Sequence, residues 1–188
     1  MEWLDIVDEN GEPTGELVSR AKAHAEGIPH RTSHVWVVRV RGGVLEVLLQ
    51  KRSDNKDSFP GCYDISSAGH IPAGEDYVTS ALRELKEEIG VEASPEELVL
   101  CGQRRFEFER TFRGRQFHDN QVTNIYLLWL DRDEDEFVLQ KEEVSAVRWM
   151  GFDACIEAAR ENTIKHCLYE EELLMVREAA RRSAQSRA

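Results

Sequence analysis

Three glutamates in the stretch GHIPAGEDYVTSALRELKEEIGV, residues 69–91, have the spacing of a cation site. Glu84, Glu87 and Glu88 stand at i, i+3 and i+4, so on a helix their side chains share one face. Like charges at this spacing destabilise an isolated helix by roughly 0.2–0.5 kcal/mol per pair. A divalent cation would reverse that sign, because Mg²⁺ and Mn²⁺ prefer hard oxygen ligands. The spacing alone leaves two interpretations, a cation site and a solvated acidic surface.

The same stretch predicts the helix that must hold these carboxylates. Its apolar residues recur at intervals of three and four, which predicts an amphipathic helix from about Tyr77 to Ile89. Gly90 is well placed to end it. The apolar stripe lies beside the acidic face and consists of Val78, Ala81, Leu82, Leu85 and Ile89.

The remaining pattern predicts strands before and after this helix and further helices at the end. Alternating or apolar runs predict a hairpin near the N-terminus, a core hairpin on either side of Gly42-Gly43, two later strands joined through the polar segment TFRGRQFHDNQ, and a short strand at AVRWM. Helices are expected at 153–161 and 163–182, the second with Ile164, Cys167, Leu168, Leu174 and Met175 inward. Trp36 and Trp149 are interpreted as core packing. These elements predict helices on both faces of a mixed sheet.

The length of 188 residues and the 41% content of hydrophobic residues suit one domain, residues 1–188. We divide it into an N-terminal hairpin and connection (1–33), the acidic motif (69–91) and C-terminal helices (153–182). A net charge of −12 argues against a nucleic-acid polymer as partner. No run approaches the roughly 20 apolar residues of a membrane span, and the acidic N-terminus does not resemble a secretion signal. We therefore expect a cytoplasmic protein without a membrane partner. Its four scattered cysteines indicate reduced thiols.

The motif resembles the Nudix box. Gly69, Glu75, the triplet 83–85, the pair 87–88 and the pair 90–91 occupy its fixed positions. The resemblance implies the Nudix fold, an α/β (α+β) class α/β/α sandwich with a mixed β-sheet. It also implies Mg²⁺-dependent hydrolysis (with Mn²⁺ as the alternative ion) of a small nucleoside diphosphate derivative or related diphosphate. Carried over, the metal ligands are the Gly69 carbonyl, Glu84, Glu87 and Glu88, and the catalytic set is Arg83, Glu84, Glu87 and Glu88. Arg83 would position Glu84, and Glu75 would tie the preceding loop to the helix.

Sequence outside the box is similar to the branch that contains isopentenyl diphosphate isomerase. The segments LDIVDENGEPTGELVSRAKAHAEGIPHR and LLQKRSDNKDSFPGCYDISSAGH carry this likeness. The nearest matches to that branch's metal-binding histidines are His24, His30 and His70. However, Ala68 stands where the isomerase has its cysteine, and Asp119 with Gln121 replaces its pair of glutamates. Both proton-transfer groups are therefore missing, which favours hydrolysis.

Candidate substrate-binding residues are basic or lie near the expected site. They are His30, Arg31, Arg52, His70 and Asp119. Glu107 and Glu109 compete with Asp119 for a place in the site, and the general base is left open between Glu84 and an acid outside the box. Five arginines are either a solvated hairpin tip or a basic flap over the substrate: Arg104, Arg105, Arg110, Arg113 and Arg115.

Three functional classes remain open. The preferred one is the hydrolase with a small-molecule diphosphate substrate. The others are a prenyl diphosphate isomerase, disfavoured by Ala68, and a non-catalytic nucleotide-binding protein, disfavoured by the intact box. A homodimer is compatible with the family, but no segment marks an interface.

Overall fold

The computed structural model describes residues 2–185. Nine strands and four α-helices are named in chain order: β1 Trp3–Val7, β2 Pro13–Ser19, α1 Arg20–Glu26, β3 His30–Arg41, β4 Val44–Arg52, β5 Tyr63–Asp64, β6 Ser67–His70, α2 Tyr77–Ile89, β7 Leu98–Phe112, β8 Arg115–Trp129, β9 Val144–Gly151, α3 Phe152–Glu161 and α4 Glu170–Gln185. No helix within residues 2–185 is long and apolar enough to cross a membrane.

Strand β3 lies at the centre of a mixed seven-stranded sheet. One edge of β3 pairs in parallel with β8, and the other pairs antiparallel with β6 near its start and with β4 near its end. β7 extends the sheet beyond β8, whereas β5 and β9 pair with β4. β1 and β2 form a separate hairpin, as the sequence predicts.

Helices cover both faces of this sheet, which confirms the predicted sandwich. Residues of β3 alternate between the faces, as strand geometry requires. Trp36 and Val38 pack with α3 and α4, whereas Val35 and Val37 pack with Leu85 and the rest of the inward stripe of α2. The predicted burial of Trp36 and Trp149 is confirmed.

Helix α2 has the predicted bounds because both ends carry strong signals. The Asp76 carboxylate accepts hydrogen bonds from the backbone N–H groups of Val78 and Thr79, an N-cap that satisfies otherwise unpaired donors. Gly90 ends the helix with a left-handed φ of 67°, a conformation that favours glycine.

The prediction of a polar connection between β7 and β8 is wrong. Both strands continue through TFRGRQFHDNQ and are joined only by Arg113 and Gly114, with φ values of 48° and 76°. Positive φ at both central residues is typical of a tight hairpin turn. The result is a long two-stranded arm that forms one side of the site described below.

The last helix begins later than predicted. Residues 163–169 instead run beside β5: the Tyr63 N–H donates to the Lys165 carbonyl (2.8 Å) and the Cys167 N–H donates to the Tyr63 carbonyl (3.0 Å). These pairings hold the segment extended, so α4 starts at Glu170. Leu174, expected to face inward, is 38% exposed. The inward face of α4 is Leu173, Val176, Ala179 and Ala180.

Candidate active site

Glu84 and Glu87 open into a cavity of about 310 Å³ at the edge of β6. Gly69 forms part of its wall because it has no side chain. A Cβ added there would lie 2.3 Å from Cδ of Glu84 and 2.4 Å from its Cγ. The bare backbone at position 69 therefore allows the Glu84 carboxylate to lie against β6. Two cations, Arg20 and Lys56, also line this cavity.

Arg83 holds Glu84 in this position. Its Nη2 donates to Oε1 of Glu84 at 3.0 Å, and its Nη1 donates to Oε2 of Glu75. Oε2 of Glu75 also accepts from the Ser80 hydroxyl at 2.9 Å. Glu75 thus fastens the loop before α2 to Arg83 and to the first turns of that helix.

Glu88 is buried, unlike the exposed Glu87. Its Oε2 accepts from the Ala68 backbone N–H at 3.1 Å and from the Gln50 amide at 3.4 Å. Burial, and then the charge of Glu84, raise the pKa of Glu88 to about 7. Burial also raises the pKa of Glu84, and the charge of Glu87 acts in the same direction. Mutual repulsion in a partly desolvated site is what a bound cation relieves.

The three box glutamates do not converge on one point. Glu84 is turned to Arg83, Glu88 to β6, and Glu87 to solvent. Within residues 2–185, the group of three His, Cys, Asp or Glu side chains whose ligand atoms lie within 4.8 Å of one another is His24, His30 and His70. In this arrangement the box carboxylates are spread along the cavity, whereas the ligand atoms of the three histidines are already gathered.

The histidine cluster joins three elements and one carboxylate. α1 supplies His24, β3 supplies His30 and β6 supplies His70. Nε2 of His24 lies 3.2 Å from Nε2 of His70. Oδ1 of Asp119, on β8, lies 3.5 Å from Nε2 of His30 and 3.7 Å from Nε2 of His24. The parallel pairing of β3 with β8 brings Asp119 here, because His30 pairs with Gln121.

Unpaired lone pairs inside this cluster fit a metal ion. Nδ1 of His30 lies 2.9 Å from the Ile28 carbonyl, which only accepts, so Nδ1 carries the proton and Nε2 presents a lone pair in the neutral ring. Nε2 of His30 and Oδ1 of Asp119 are buried without a hydrogen-bond partner in the described chain. Two electron pairs facing each other are unfavourable unless a cation lies near both.

Burial keeps the three imidazoles neutral. It lowers the pKa of His24 to about 3 and that of His70 well below its ordinary value, and it also lowers the pKa of His30. Burial raises the pKa of Asp119. Neutral imidazole nitrogens with one carboxylate are a donor set for a first-row transition metal.

A larger cleft of about 1190 Å³ adjoins the carboxylate cavity. The two spaces share six lining residues: Glu2, Arg20, Lys56, Ala68, Gly69 and His70. Strand β6 is therefore a common wall. On this strand His70 pairs with Thr32 and Ala68 with His34, two residues of β3 that line the cleft.

Aromatic side chains form the far side of the cleft. Phe106 and Phe108 on β7 stack with ring centroids 5.6 Å apart, and Phe106 contacts Tyr169 at 5.0 Å. Phe59 lies 4.8 Å from Phe112 and adopts a φ of 49°, an uncommon value for a bulky residue. We call Phe59, Phe106, Phe108, Phe112, Phe117 and Tyr169 the aromatic wall; all six line the cleft.

The structure separates the predicted substrate-binding residues. Asp119, His70 and Arg52 line the cleft, and Nη1 of Arg52 is held by Asp64 at 2.8 Å. His30 is fully buried within the histidine cluster. Arg31 lies on the opposite face of β3 and is not among the residues that line the cleft.

Arg31 is occupied by structural partners. Its Nη2 donates to Oδ2 of Asp5 at 2.7 Å and to the Glu75 carbonyl at 2.9 Å. Its side chain therefore links the N-terminal hairpin to the box loop and does not reach the cleft.

The carboxylates considered as alternative bases also point away. Glu107 and Glu109 are exposed on the opposite face of β7, where they bond His118 and Gln116 at 2.6 Å each. Of the five flap arginines, Arg113 and Arg115 line the cleft. Of the others, Arg104 bonds Glu171, Arg110 lies over the Phe59 ring, and Arg105 is exposed to solvent.

Sequence reasoning missed the cationic and aromatic lining. Arg20 and Lys56 are single basic residues in ordinary contexts, so nothing marked them. The alternation in FEFERTF was a usable signal, because phenylalanines at every second position of a strand share one face.

Comparison with known proteins agrees with this architecture. The model of the NUDIX domain matches residues 29–171. The chain belongs to the Nudix family. Nudix hydrolase 3 of Arabidopsis thaliana is 39% identical over 156 residues, which are 81% of this chain and 19% of that protein. An uncharacterized Nudix hydrolase of Clostridium acetobutylicum is 38% identical over 143 residues, 76% of this chain and 66% of that protein.

A solved structure has a similar fold. The crystal structure of DR0079 from Deinococcus radiodurans matches 94% of this chain and 98% of its own length, with a TM-score of 0.66 and 21% identity. Among the curated relatives, the chain spans about a fifth of the length of the Arabidopsis thaliana protein and about two thirds of that of the Clostridium acetobutylicum protein.

Proposed function

We propose that this Nudix chain hydrolyses a diphosphate linkage in a small organic diphosphate, of which a nucleoside diphosphate derivative is the leading class. One observation carries the proposal. The carboxylate cavity lies on one side of β6 and the histidine cluster on the other, and residues of β6 line both the cavity and the larger cleft. Acidic ligands for cations, two basic side chains and an aromatic wall thus adjoin one another, as a substrate with a charged and a carbon-rich end requires.

The residues of the cavity have separate roles. Glu84, Glu87 and Glu88 with the Gly69 carbonyl would hold Mg²⁺ or Mn²⁺. When bound, such an ion neutralises charge on the diphosphate and lowers the pKa of the attacking water. Arg83 orients Glu84 through their hydrogen bond.

Lys56 and Arg20, on the wall common to cavity and cleft, are placed to contact phosphate oxygens. The aromatic wall gives the organic group an apolar surface on which a planar ring can stack. His24, His30, His70 and Asp119 would hold a second, softer ion beside the same strand.

Activity is tested with a panel of nucleoside di- and triphosphates, sugar nucleotides, dinucleoside polyphosphates and prenyl diphosphates, each with Mg²⁺ and with Mn²⁺. We expect one class to be hydrolysed and Glu87→Gln to reduce kcat at least 100-fold. Glu92→Gln is the matched control. Glu92 is an exposed glutamate just past the end of the same helix, and it pairs with Lys86 outside the cavity. Full activity in Glu87→Gln would refute the assignment of this helix to catalysis.

The histidine cluster is tested without an activity readout. Metal content after exposure to Mn²⁺ or Zn²⁺ and desalting should be near one ion per chain in the native protein and much lower in His30→Gln. Equal metal content in the two proteins would contradict the assignment of the cluster.

Isomerisation of a prenyl diphosphate is the second candidate, favoured by the histidine cluster alone. Ala68 has no proton to transfer, and the Gln121 amide donates to Oδ2 of Asp119 at 2.6 Å. Incubation with isopentenyl diphosphate separates the two reactions. A dimethylallyl product would support isomerisation, and release of phosphate or pyrophosphate would support hydrolysis.

A further inference from the structure

His34 is a cleft residue that the box motif does not include. It lies on the same face of β3 as Thr32, and its backbone pairs with Ala68 while that of the neighbouring Ser33 pairs with Gly69. The His34 side chain lines the larger cleft. His34 is therefore one residue along the sheet from Gly69, whose carbonyl would contact the box cation.

One ring nitrogen of His34 is already engaged inside the protein. Nδ1 lies 2.8 Å from Oε1 of Glu172, which is 1% exposed and also accepts from Nε1 of Trp36 at 2.7 Å. A carboxylate only accepts, so Nδ1 is the donor. Nε2 is the remaining ring nitrogen, and it donates toward the cleft when the ring is protonated, the form that the neighbouring Glu172 carboxylate favours.

Charged groups of both signs surround the pair formed by His34 and Glu172. Burial alone would lower the pKa of His34, but the charge of Glu172 and its hydrogen bond outweigh burial and raise the pKa. Nη1 of Arg104 lies 3.6 Å from the second oxygen of Glu172. Arg104 also donates to Glu171 at 3.1 Å, and Asp64 is paired with Arg52, so the acidic and basic groups around His34 offset one another.

A purely structural anchor does not require this arrangement. Buried ion pairs contribute little net stability compared with apolar packing, because desolvation offsets their attraction. A buried titratable ring that has a charged partner and faces a cleft is a candidate functional group. The second oxygen of Glu172 is buried without a hydrogen bond in the described chain, so this carboxylate is not arranged for the greatest number of bonds.

We propose that Nε2 of His34 donates a hydrogen bond to the substrate phosphate that points from the cation sites into the cleft, and that Glu172 is its positioning residue. The proposal rests on the proposed diphosphate hydrolase function. It adds a phosphate-binding residue on the sheet, on the opposite side of β6 from the box carboxylates.

Two substitutions separate the two ring nitrogens. His34→Asn places an amide nitrogen near the position of Nδ1, so the bond to Glu172 is kept and the donor toward the cleft is lost. His34→Gln places its amide nitrogen nearer to Nε2. Binding of inorganic pyrophosphate in the presence of Mg²⁺ is measured by titration calorimetry, with Tm, kcat and KM alongside.

We expect His34→Asn to raise the Kd of pyrophosphate at least tenfold and to raise KM, while Tm stays within a few degrees of the native value. His34→Gln should retain affinity better than His34→Asn. Trp36→Phe is the structural control. It removes the other hydrogen bond to Glu172 from a fully buried position, so it should lower Tm and leave Kd within twofold.

Two results would overturn the proposal: a Kd in His34→Asn within twofold of native, or an equal rise in Trp36→Phe. Should His34→Asn fold poorly, Glu172→Gln keeps an acceptor for both donors and removes the charge. It should raise Kd at least threefold, and an unchanged Kd would refute the proposal. A native protein that neither binds pyrophosphate nor hydrolyses any diphosphate would refute the hydrolase proposal and this one together, whereas native binding that His34→Asn preserves refutes the role of His34 alone.

Discussion

Replacing Gly69 by alanine tests whether the position of Glu84 matters to catalysis. The added Cβ would lie 2.3 Å from Cδ and 2.6 Å from Oε1 of Glu84. An ordinary carbon–carbon contact is about 3.5 Å, so the carboxylate must retreat by about 1.2 Å. Displacing a catalytic group by about 1 Å costs about 100-fold in rate, or about 2.7 kcal/mol of barrier. The strand backbone at Gly69 does not have a positive φ, so alanine should change the free energy of unfolding by less than about 1 kcal/mol.

The assay compares kcat on the hydrolysed substrate, Mn²⁺ affinity by calorimetry and Tm. Gly69→Ala should lose rate and ion affinity together while Tm stays near native. Gly151→Ala is the matched control, because its Cβ would meet its nearest neighbour, Val44, at an ordinary 3.8 Å. A kcat within threefold of native in Gly69→Ala would show that the carboxylate need not lie against β6, and the reasoning would fail.

Three further predictions concern stability and are measured by urea denaturation. Arg31→Met leaves the buried Asp5 without its cation and should lower the free energy of unfolding by about 3–5 kcal/mol. Lys22→Ala is the control, because it breaks only an exposed i,i+4 pair and should cost about 0.5 kcal/mol or less. Leu173→Ala removes a fully buried side chain of α4 and should cost about 2–5 kcal/mol, whereas Leu174→Ala should cost under about 1 kcal/mol; equal losses would contradict the reported face of α4. Burial raises the pKa of Cys155 from 9.0 to about 12, so its contribution to folding is intact below pH 9 and falls as pH rises toward 12, by about 1.4 kcal/mol per pH unit. Cys155→Ala should therefore lose less stability between pH 7.5 and 10.5 than the native protein does, and parallel losses would count against this shift.

Local signals explain what the sequence predicted well. Helix α2 has an acidic N-cap at Asp76, a regular apolar stripe and Gly90 at its end, and each of these signals acts within a few residues. Its bounds agree because no distant contact overrides them.

Long-range pairing explains the errors. The segment 163–169 has helical spacing, yet its backbone hydrogen bonds go to Tyr63, about 100 positions earlier. Near its tip the arm of β7 and β8 carries polar residues on both faces, so no simple apolar alternation marks a strand there and the sequence predicts a loop.

The candidate site divides in the same way. The sequence predicts the box residues because they lie within 23 positions of one another. The sequence marks each histidine only as a separate candidate, because their convergence with Asp119 depends on the parallel register of β3 and β8. The partner of His34 lies 138 positions away on α4, and no local pattern announces such a contact.

Strand β6 imposes an evolutionary constraint on this architecture. Alternate residues of a strand point to opposite sides, so Ala68 and His70 turn toward the cleft while Gly69 turns toward Glu84. Inserting or deleting one residue would reverse this order, placing an imidazole among the acids and leaving the histidines one member short. Substrate preference in such enzymes should therefore diversify through changes of length in the 53–61 loop and the β7–β8 arm, while the four residues of β6 keep their number.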